Sequence, residues 1–158
     1  MTDIISSMTE QEKLARTAWG EERGLGVQGM TATLCTINNR LLSGRTWWGT
    51  SLGDIATFGH NGIYQYSAWN VNDPNRVKLL AVTASDPKYA QALDLAAQLL
   101  AGKLTDITGG ADSYFDKRLP RWPVWYLGLT PTFTCGHQMF FNTVKRSIAA
   151  QAAATQSV

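Results

Sequence analysis

Three stretches of the chain repeat apolar residues every three or four positions, the spacing that places them on one face of a helix. The first helix is predicted over residues 10–23, because Thr9 and Glu12 have the spacing of a capping box and Gly24 follows its end. Its apolar face comprises Leu14, Ala15, Ala18 and Trp19.

The second helix is predicted over residues 27–42 and has the most continuous apolar face of the three. The third begins at Asp86-Pro87, where the aspartate can cap and the proline can occupy the first turn, and it ends before Gly102. The two apolar faces comprise Val27, Met30, Leu34, Ile37 and Leu41 in the second helix, and Ala92, Leu93, Ala96, Leu99 and Leu100 in the third.

Residues 43–77 are predicted to be irregular, apart from a short helix near residues 52–56 and a weakly alternating segment, IYQYSAW, that suits a short strand. An irregular stretch of this length is uncommon in a compact domain unless it serves function. From Leu104 onward, glycines and prolines separate short β-like pieces, DSYFD, VWYLGL and TFTCGHQMFF. Helices followed by a small β part predict an α+β fold with a cleft between two lobes.

The length of 158 residues predicts one domain, a single catalytic domain over residues 1–158, with flexible ends at residues 1–8 and 150–158. Six tryptophans are many for this length, and several lie in stretches rich in Gly, Asn and Pro. Core filling and the binding of flat faces such as sugar rings are both consistent with them. The net charge of +2, without any run of Lys or Arg, does not favour a nucleic-acid partner.

The two cysteines, Cys35 and Cys135, have no neighbours at metal-ligand spacing, so we expect buried thiols and no metal or other cofactor, with a disulfide left open. The N-terminal residues lack the basic and apolar regions of a secretory signal, and no stretch has the roughly 20 apolar residues that span a membrane. We therefore expect a protein that is made in the cytoplasm without a signal peptide and without stable membrane insertion. We also expect a monomer.

Glu21 is the first candidate for chemistry, within the segment TAWGEERG. It falls in the last turn of the first predicted helix, where the negative end of the helix dipole disfavours an ionised carboxylate. Partial burial beside Trp19 would act in the same direction, and a carboxyl group that keeps its proton is suited to general acid catalysis. The alternative is a solvated helix end at which Glu22 and Arg23 form exposed ion pairs.

The segment Leu14–Gly24, LARTAWGEERG, resembles the opening motif of the SleB-type cell-wall hydrolases, a family that includes spore-cortex-lytic enzymes and phage endolysins. Later motifs of that family have counterparts in the same order, up to about residue 141. They are Asn39-Arg40, Gln65–Trp69, Gly102 with Asp106 and Thr108, Trp122 beside Pro120 and Pro123, and Gly136-His137 with Phe140-Phe141.

This resemblance implies a lysozyme-like fold, mainly helical with a small β lobe, and Glu21 as the catalytic residue. It implies cleavage of the glycan strand of peptidoglycan between N-acetylmuramic acid and N-acetylglucosamine, by a phage endolysin-like lytic transglycosylase acting on the cell wall. Such an enzyme can work with one carboxyl group, whereas an ordinary glycosidase needs two. The alternatives are a lysozyme-type muramidase, and an inactive peptidoglycan-binding or virion protein.

Further candidates to bind the glycan share aromatic, amide, hydroxyl or imidazole side chains, which stack on sugars or bond to them. They are Gln65, Tyr66, Ser67, Trp69, Tyr114, Trp122 and His137. A purely structural loop held by Trp69, and structural histidines, are the competing interpretations. The segment Gly110–Tyr114 departs from the family, which commonly has a histidine there, and its Asp112 is either a second carboxylate or a loop cap.

Overall fold

The computed structural model describes residues 3–144. The helices are α1 (Glu10–Glu22), α2 (Gly26–Leu42), α3 (Leu52–Ala56), α4 (Pro74–Ala81) and α5 (Pro87–Leu100). The strands are β1 (Gly59–His60), β2 (Ile63–Tyr64), β3 (Ser113–Asp116), β4 (Phe133–Cys135) and β5 (Gln138–Phe141). Short 3-10 turns lie at Ile5–Ser7, Arg23–Leu25, Thr46–Trp48, Ser67–Trp69 and Val124–Tyr126. The predicted α+β class is confirmed.

The helical part is built around α1, which packs against α2, α3, α4 and α5. The Thr9 side chain accepts a hydrogen bond from the Glu12 backbone, and the Glu12 carboxylate accepts one from the Thr9 backbone, so the predicted capping box is present. Asp86 caps α5 through the Tyr89 N–H, with Pro87 in the first turn, as predicted. All three helices predicted from apolar periodicity are therefore confirmed within a few residues of their bounds.

Helix α2 is buried on more than its predicted stripe. Met30 and Ile37 pack into the main core, whereas Ala32, on another face, packs with Ala111 and Phe140 of the β part. Polar residues off the stripe are buried as well, namely Thr33, Thr36 and Arg40. This helix lies between the helical core and the small sheet, so both of its sides are covered.

The three-stranded sheet is antiparallel, with the strand order β3-β5-β4. Ser113 pairs with Phe141 and Asp116 with Gln138, while Cys135 pairs with Gln138 from the other side. A separate hairpin joins β1 and β2 through Asn61 and Gly62, whose φ angles of 55° and 77° are those of a tight hairpin turn. The predicted β-like segment TFTCGHQMFF thus contains strands β4 and β5, and the segment DSYFD contains strand β3.

Two expectations about local structure are wrong. Residues 74–77, predicted to be irregular, belong to α4, which starts with Asp73 as cap and Pro74 in the first turn. The segment VWYLGL contains a 3-10 turn and no strand, because its aromatic side chains pack on Phe115 and Phe141. Residues 1–8 are expected to form a flexible end, and within them Ile5 is buried in the core. The tail at residues 150–158 lies outside the described residues.

Both cysteines are buried free thiols. Among the helices of residues 3–144, none combines the length and the apolar character needed to span a membrane.

Candidate active site

A cleft of about 580 Å³ separates the helical part from the three-stranded sheet. The helical side contributes Glu21, Arg40, Trp48, Gln65, Tyr66 and Ser67. The opposite wall comes from β3, β5 and the turn at Val124–Tyr126, with Tyr114, Asp116, Trp125 and Gln138 among its residues. The cleft therefore combines one glutamate with several aromatic and polar side chains.

Glu21 reaches the cleft because α1 lies very close to the Ser67–Trp69 turn. Gly20 makes this approach possible, since a Cβ atom there would lie 2.9 Å from the Ala68 Cβ and 2.9 Å from the Leu79 Cδ2. The Ala68 backbone N–H then donates a 2.8 Å hydrogen bond to Glu21 Oε1. From the other wall, the Tyr114 hydroxyl lies 2.8 Å from Glu21 Oε2. Both oxygens of the carboxyl group are held in place by opposite sides of the cleft.

The surroundings of Glu21 favour its protonated form. Burial raises the pKa of Glu21 above its ordinary value, and the negative charge of Asp73 adds to the effect. Hydrogen bonds from Ala68, Tyr114 and Ser67 lower the pKa of Glu21, but the net shift of this pKa remains upward. Oε1 accepts the Ala68 N–H, so Oε2 is the oxygen suited to carry the proton. Burial also raises the pKa of Tyr114 well above its ordinary value, so this phenol stays neutral.

Glu22, the next residue, is not part of the cleft lining. It is 3% exposed, and its Oε1 has no hydrogen-bond partner within residues 3–144. Burial, followed by the charges of Glu21 and Asp116, raises the pKa of Glu22 to about 8, against a lowering by the Gln138 side chain. Arg23 stacks over Trp19, with Cζ 4.2 Å from the ring centroid. The solvated Glu22–Arg23 pair considered from sequence is therefore absent.

Four of the residues predicted to bind the glycan line the cleft with Glu21, namely Gln65, Tyr66, Ser67 and Tyr114. Tyr66 is 2% exposed, and its hydroxyl lies 2.9 Å from the Thr36 Oγ1. The Tyr66 and Tyr114 rings are 6.3 Å apart. Gln65 and Ser67 next to Tyr66 are exposed, so the cleft offers both aromatic rings and hydrogen-bonding groups.

Three other predicted binding residues lie elsewhere. Trp69 has no exposed surface, and its Nε1 donates a 2.8 Å hydrogen bond to Thr17 Oγ1 in the core, so it is a structural residue that anchors the turn. Trp122 packs on Phe115 next to the cleft but is not part of its lining. His137 is exposed at the turn between β4 and β5 and does not line the cleft either.

Sequence reasoning missed several residues of the lining: Arg40, Trp48, Asp116, Trp125 and Gln138. Arg40 lies off the apolar stripe of its helix, so periodicity gave no reason to expect it in the cleft. The one available signal was its place in the motif Asn39-Arg40 of the resemblance. Trp125 was overlooked because its segment was expected to be a strand.

The two aspartates of the β3 region have different roles. Asp112 has no exposed surface and accepts hydrogen bonds from the Ser113 and Thr143 hydroxyls and from the Thr143 and Val144 N–H groups. It lies outside the cleft lining, which favours the loop cap over the second carboxylate. Asp116 does line the cleft, but it pairs with Arg118 at 2.6 Å, and the Arg118 side chain lowers the pKa of Asp116 to about 2.

Comparison of the chain with family models, curated proteins and solved structures found no match. Within residues 3–144, no cluster of three or more His, Cys, Asp or Glu side chains has the arrangement of a metal site. The cleft and the sequence motif around Glu21 are therefore the features of this protein that bear on its function.

Proposed function

We propose that this protein cleaves the glycan strand of peptidoglycan between N-acetylmuramic acid and N-acetylglucosamine, as a lytic transglycosylase with a lysozyme-like arrangement of lobes. The observation that carries the proposal is Glu21, a carboxyl group with a raised pKa, held between two walls of an aromatic cleft. A general acid requires this combination of retained proton and fixed position.

The reaction needs only one carboxyl group. Glu21 donates its proton to the glycosidic oxygen as the bond from that oxygen to C1 of the muramyl residue breaks. The resulting carboxylate accepts the proton of the muramyl C6 hydroxyl while the C6 oxygen bonds to C1. The product carries a 1,6-anhydro ring, Glu21 regains its proton, and no water is consumed. The Ala68 N–H and the Tyr114 hydroxyl stabilise the transient carboxylate.

Hydrolysis by a muramidase is the second candidate, because Asp116 places an ionised carboxylate in the same cleft. A retaining or inverting glycosidase uses such a group as nucleophile or base. Against this role, both Asp116 oxygens accept hydrogen bonds from the Arg118 guanidinium, and one also accepts the Arg118 N–H. A carboxylate with a pKa near 2 and a bound cation is a weak base and a poor nucleophile.

The resemblance to phage endolysins supports action on the bacterial cell wall as the biological role. An inactive peptidoglycan-binding or virion protein was the other alternative, and its main support was the departure at Asp112. Because Asp112 has a structural role outside the cleft, this support is weaker.

The experiment that tests the proposal compares Glu21→Gln with Glu22→Gln in a turbidity assay on cells stripped of their outer membrane. We expect Glu21→Gln to lower the rate by about 100-fold or more, the usual contribution of a general acid. Glu22→Gln is the matched control, because it removes a carboxyl group from the adjacent, buried position and should keep most of the activity. Circular dichroism checks that both variants fold. Retained activity in Glu21→Gln would place the chemistry on another residue.

A further inference from the structure

Arg40 is a buried cation in the floor of the cleft. It lies in the last turn of α2 and is 7% exposed, yet it belongs to the cleft lining. Its Nε donates a 2.7 Å hydrogen bond to the Asp112 carbonyl oxygen. Its Cζ lies 4.8 Å from the Trp48 ring centroid and 5.0 Å from that of Tyr66. These contacts fix the guanidinium group without using its outer nitrogens.

The outer nitrogens of the guanidinium group have no hydrogen-bond partner among residues 3–144. Nη1 is buried and has no hydrogen bond within residues 3–144, and Arg40 forms no ion pair in that part of the chain. The Asp112 carboxylate is not a hydrogen-bond partner of Nη1, and both of its oxygens accept hydrogen bonds from Ser113, Thr143 and Val144. A buried donor without a partner is costly, and more so when it is charged. Such a group in a binding cleft is suited to an acceptor on a ligand.

We propose that Arg40 binds a carboxylate of the substrate, and that this contact selects peptidoglycan over neutral glycans; the inference rests on the proposed function. A guanidinium group matches the geometry of a carboxylate and binds it with two parallel hydrogen bonds. A polymer of N-acetylglucosamine alone has no carboxylate. Peptidoglycan has two sources, the lactyl group of muramic acid where it carries no peptide, and the free carboxylates of the stem peptide.

The position of Arg40 fits this role. The Tyr66 ring contacts the guanidinium group and lies 6.3 Å from the Tyr114 ring, whose hydroxyl holds Glu21. Arg40 is thus connected to the acid through two side chains, Tyr66 of the helical side and Tyr114 of the opposite wall. A muramyl residue whose glycosidic oxygen approaches Glu21 would extend its lactyl substituent along the cleft.

The test uses the Glu21→Gln variant, which should bind without cleaving, and three probes measured by calorimetry. The probes are chitotetraose, which is neutral, the disaccharide of N-acetylglucosamine and N-acetylmuramic acid with a free lactyl carboxylate, and muramyl dipeptide, whose carboxylate is on the peptide. We expect at least one acidic probe to bind tenfold or more tightly than the neutral one, and which of them does so identifies the source. Arg40→Gln in the same background should abolish the difference, whereas Lys103→Gln, an equal charge loss at an exposed site, should keep it.

A second arm uses the wild-type protein, so it does not depend on the folding of an Arg40 variant. Sacculi are digested before and after their carboxylates are amidated, and we expect amidation to raise KM at least tenfold. Equal affinity for the three probes, or an unchanged KM, would overturn the role of Arg40 while cleavage of native sacculi upholds the proposed function. If the sacculi are not cleaved, the proposed function fails, and the binding comparison still decides whether Arg40 recognises a carboxylate.

Discussion

At the scale of single residues, the adjacent Glu21 and Glu22 have the same side chain but differ in their burial and in their hydrogen bonds. Glu21 has both oxygens hydrogen-bonded and faces the cleft, whereas Glu22 is nearly inaccessible and one of its oxygens has no partner within residues 3–144. Burial raises the pKa of both. Only Glu21 combines a retained proton with access to a ligand.

The pH dependence of activity should follow the groups around Glu21. The Tyr114 hydroxyl stabilises the Glu21 carboxylate, so Tyr114→Phe should raise the pKa of Glu21 and move the alkaline limb of kcat to higher pH, with a lower maximum. The charge of Asp73 disfavours the carboxylate, so Asp73→Asn should move that limb to lower pH. Asparagine can still cap α4. Shifts of the same sign in both variants would contradict Glu21 as the titrating acid.

The stability of the fold should fall as pH rises because of Glu22. Its pKa is about 8 in the folded protein and near 4.5 in the unfolded chain, so the folded state binds more protons between these values. The free energy of unfolding should decrease by at most about 1.4 kcal/mol per pH unit over this window from this group. Urea titrations of Glu22→Gln should show a flatter profile between pH 5 and pH 8. A profile as steep as that of the wild type would contradict the assignment.

The site was only partly predictable at this scale. Glu21, Tyr66 and Tyr114 could be proposed from motif and residue type, and the structure brings them together. Arg40 could not be placed from periodicity, because its contacts are with Trp48, Tyr66 and the Asp112 carbonyl oxygen, which come from elsewhere in the chain. Trp69 has the residue type of a sugar platform, but its position in the core is decided by tertiary packing.

At the scale of elements, the helices that begin with clear caps and repeat apolar residues were predictable, and the elements held by long-range contacts were not. Helix α4 has the same Asp-Pro start as α5, but it is only eight residues long, and Asn70 and Asn72 just before it are typical of a loop. The turn at Val124–Tyr126 depends on packing against Phe115, which local sequence does not reveal.

The close packing of α1 on the Ser67–Trp69 turn should be sensitive to Gly20. In Gly20→Ala the new methyl group meets Ala68, so we expect a loss of about 1–3 kcal/mol in unfolding free energy and a weaker Ala68 contact with Glu21. Gly24→Ala is the control, since its Cβ would meet nothing within 4 Å. Thermal unfolding and the turbidity assay measure both effects. Equal stability and activity in the two variants would show that this contact is not essential.

At the scale of the whole molecule, the α+β arrangement places Glu21 of the helical part next to the sheet that supplies its hydrogen-bond partner, Tyr114. Glu21 comes from α1, and Tyr114 comes from β3, 93 residues later in the chain. Helix α2 packs on the helical core through one face and on the β part through another. The general class was predictable from the order of elements, whereas the shape of the cleft was not.

If Glu21 alone cleaves the glycan strand without water, the ends of the fragments will show it. The decisive experiment is mass spectrometry of purified sacculi digested by the wild-type protein, with Glu21→Gln as the inactive control. Digestion by the wild-type protein should release fragments that end in 1,6-anhydromuramic acid, and the variant should release no such fragments. Fragments with reducing muramyl ends would contradict this mechanism in favour of hydrolysis, and intact glycan after wild-type digestion would show that the protein is not a glycan-cleaving enzyme.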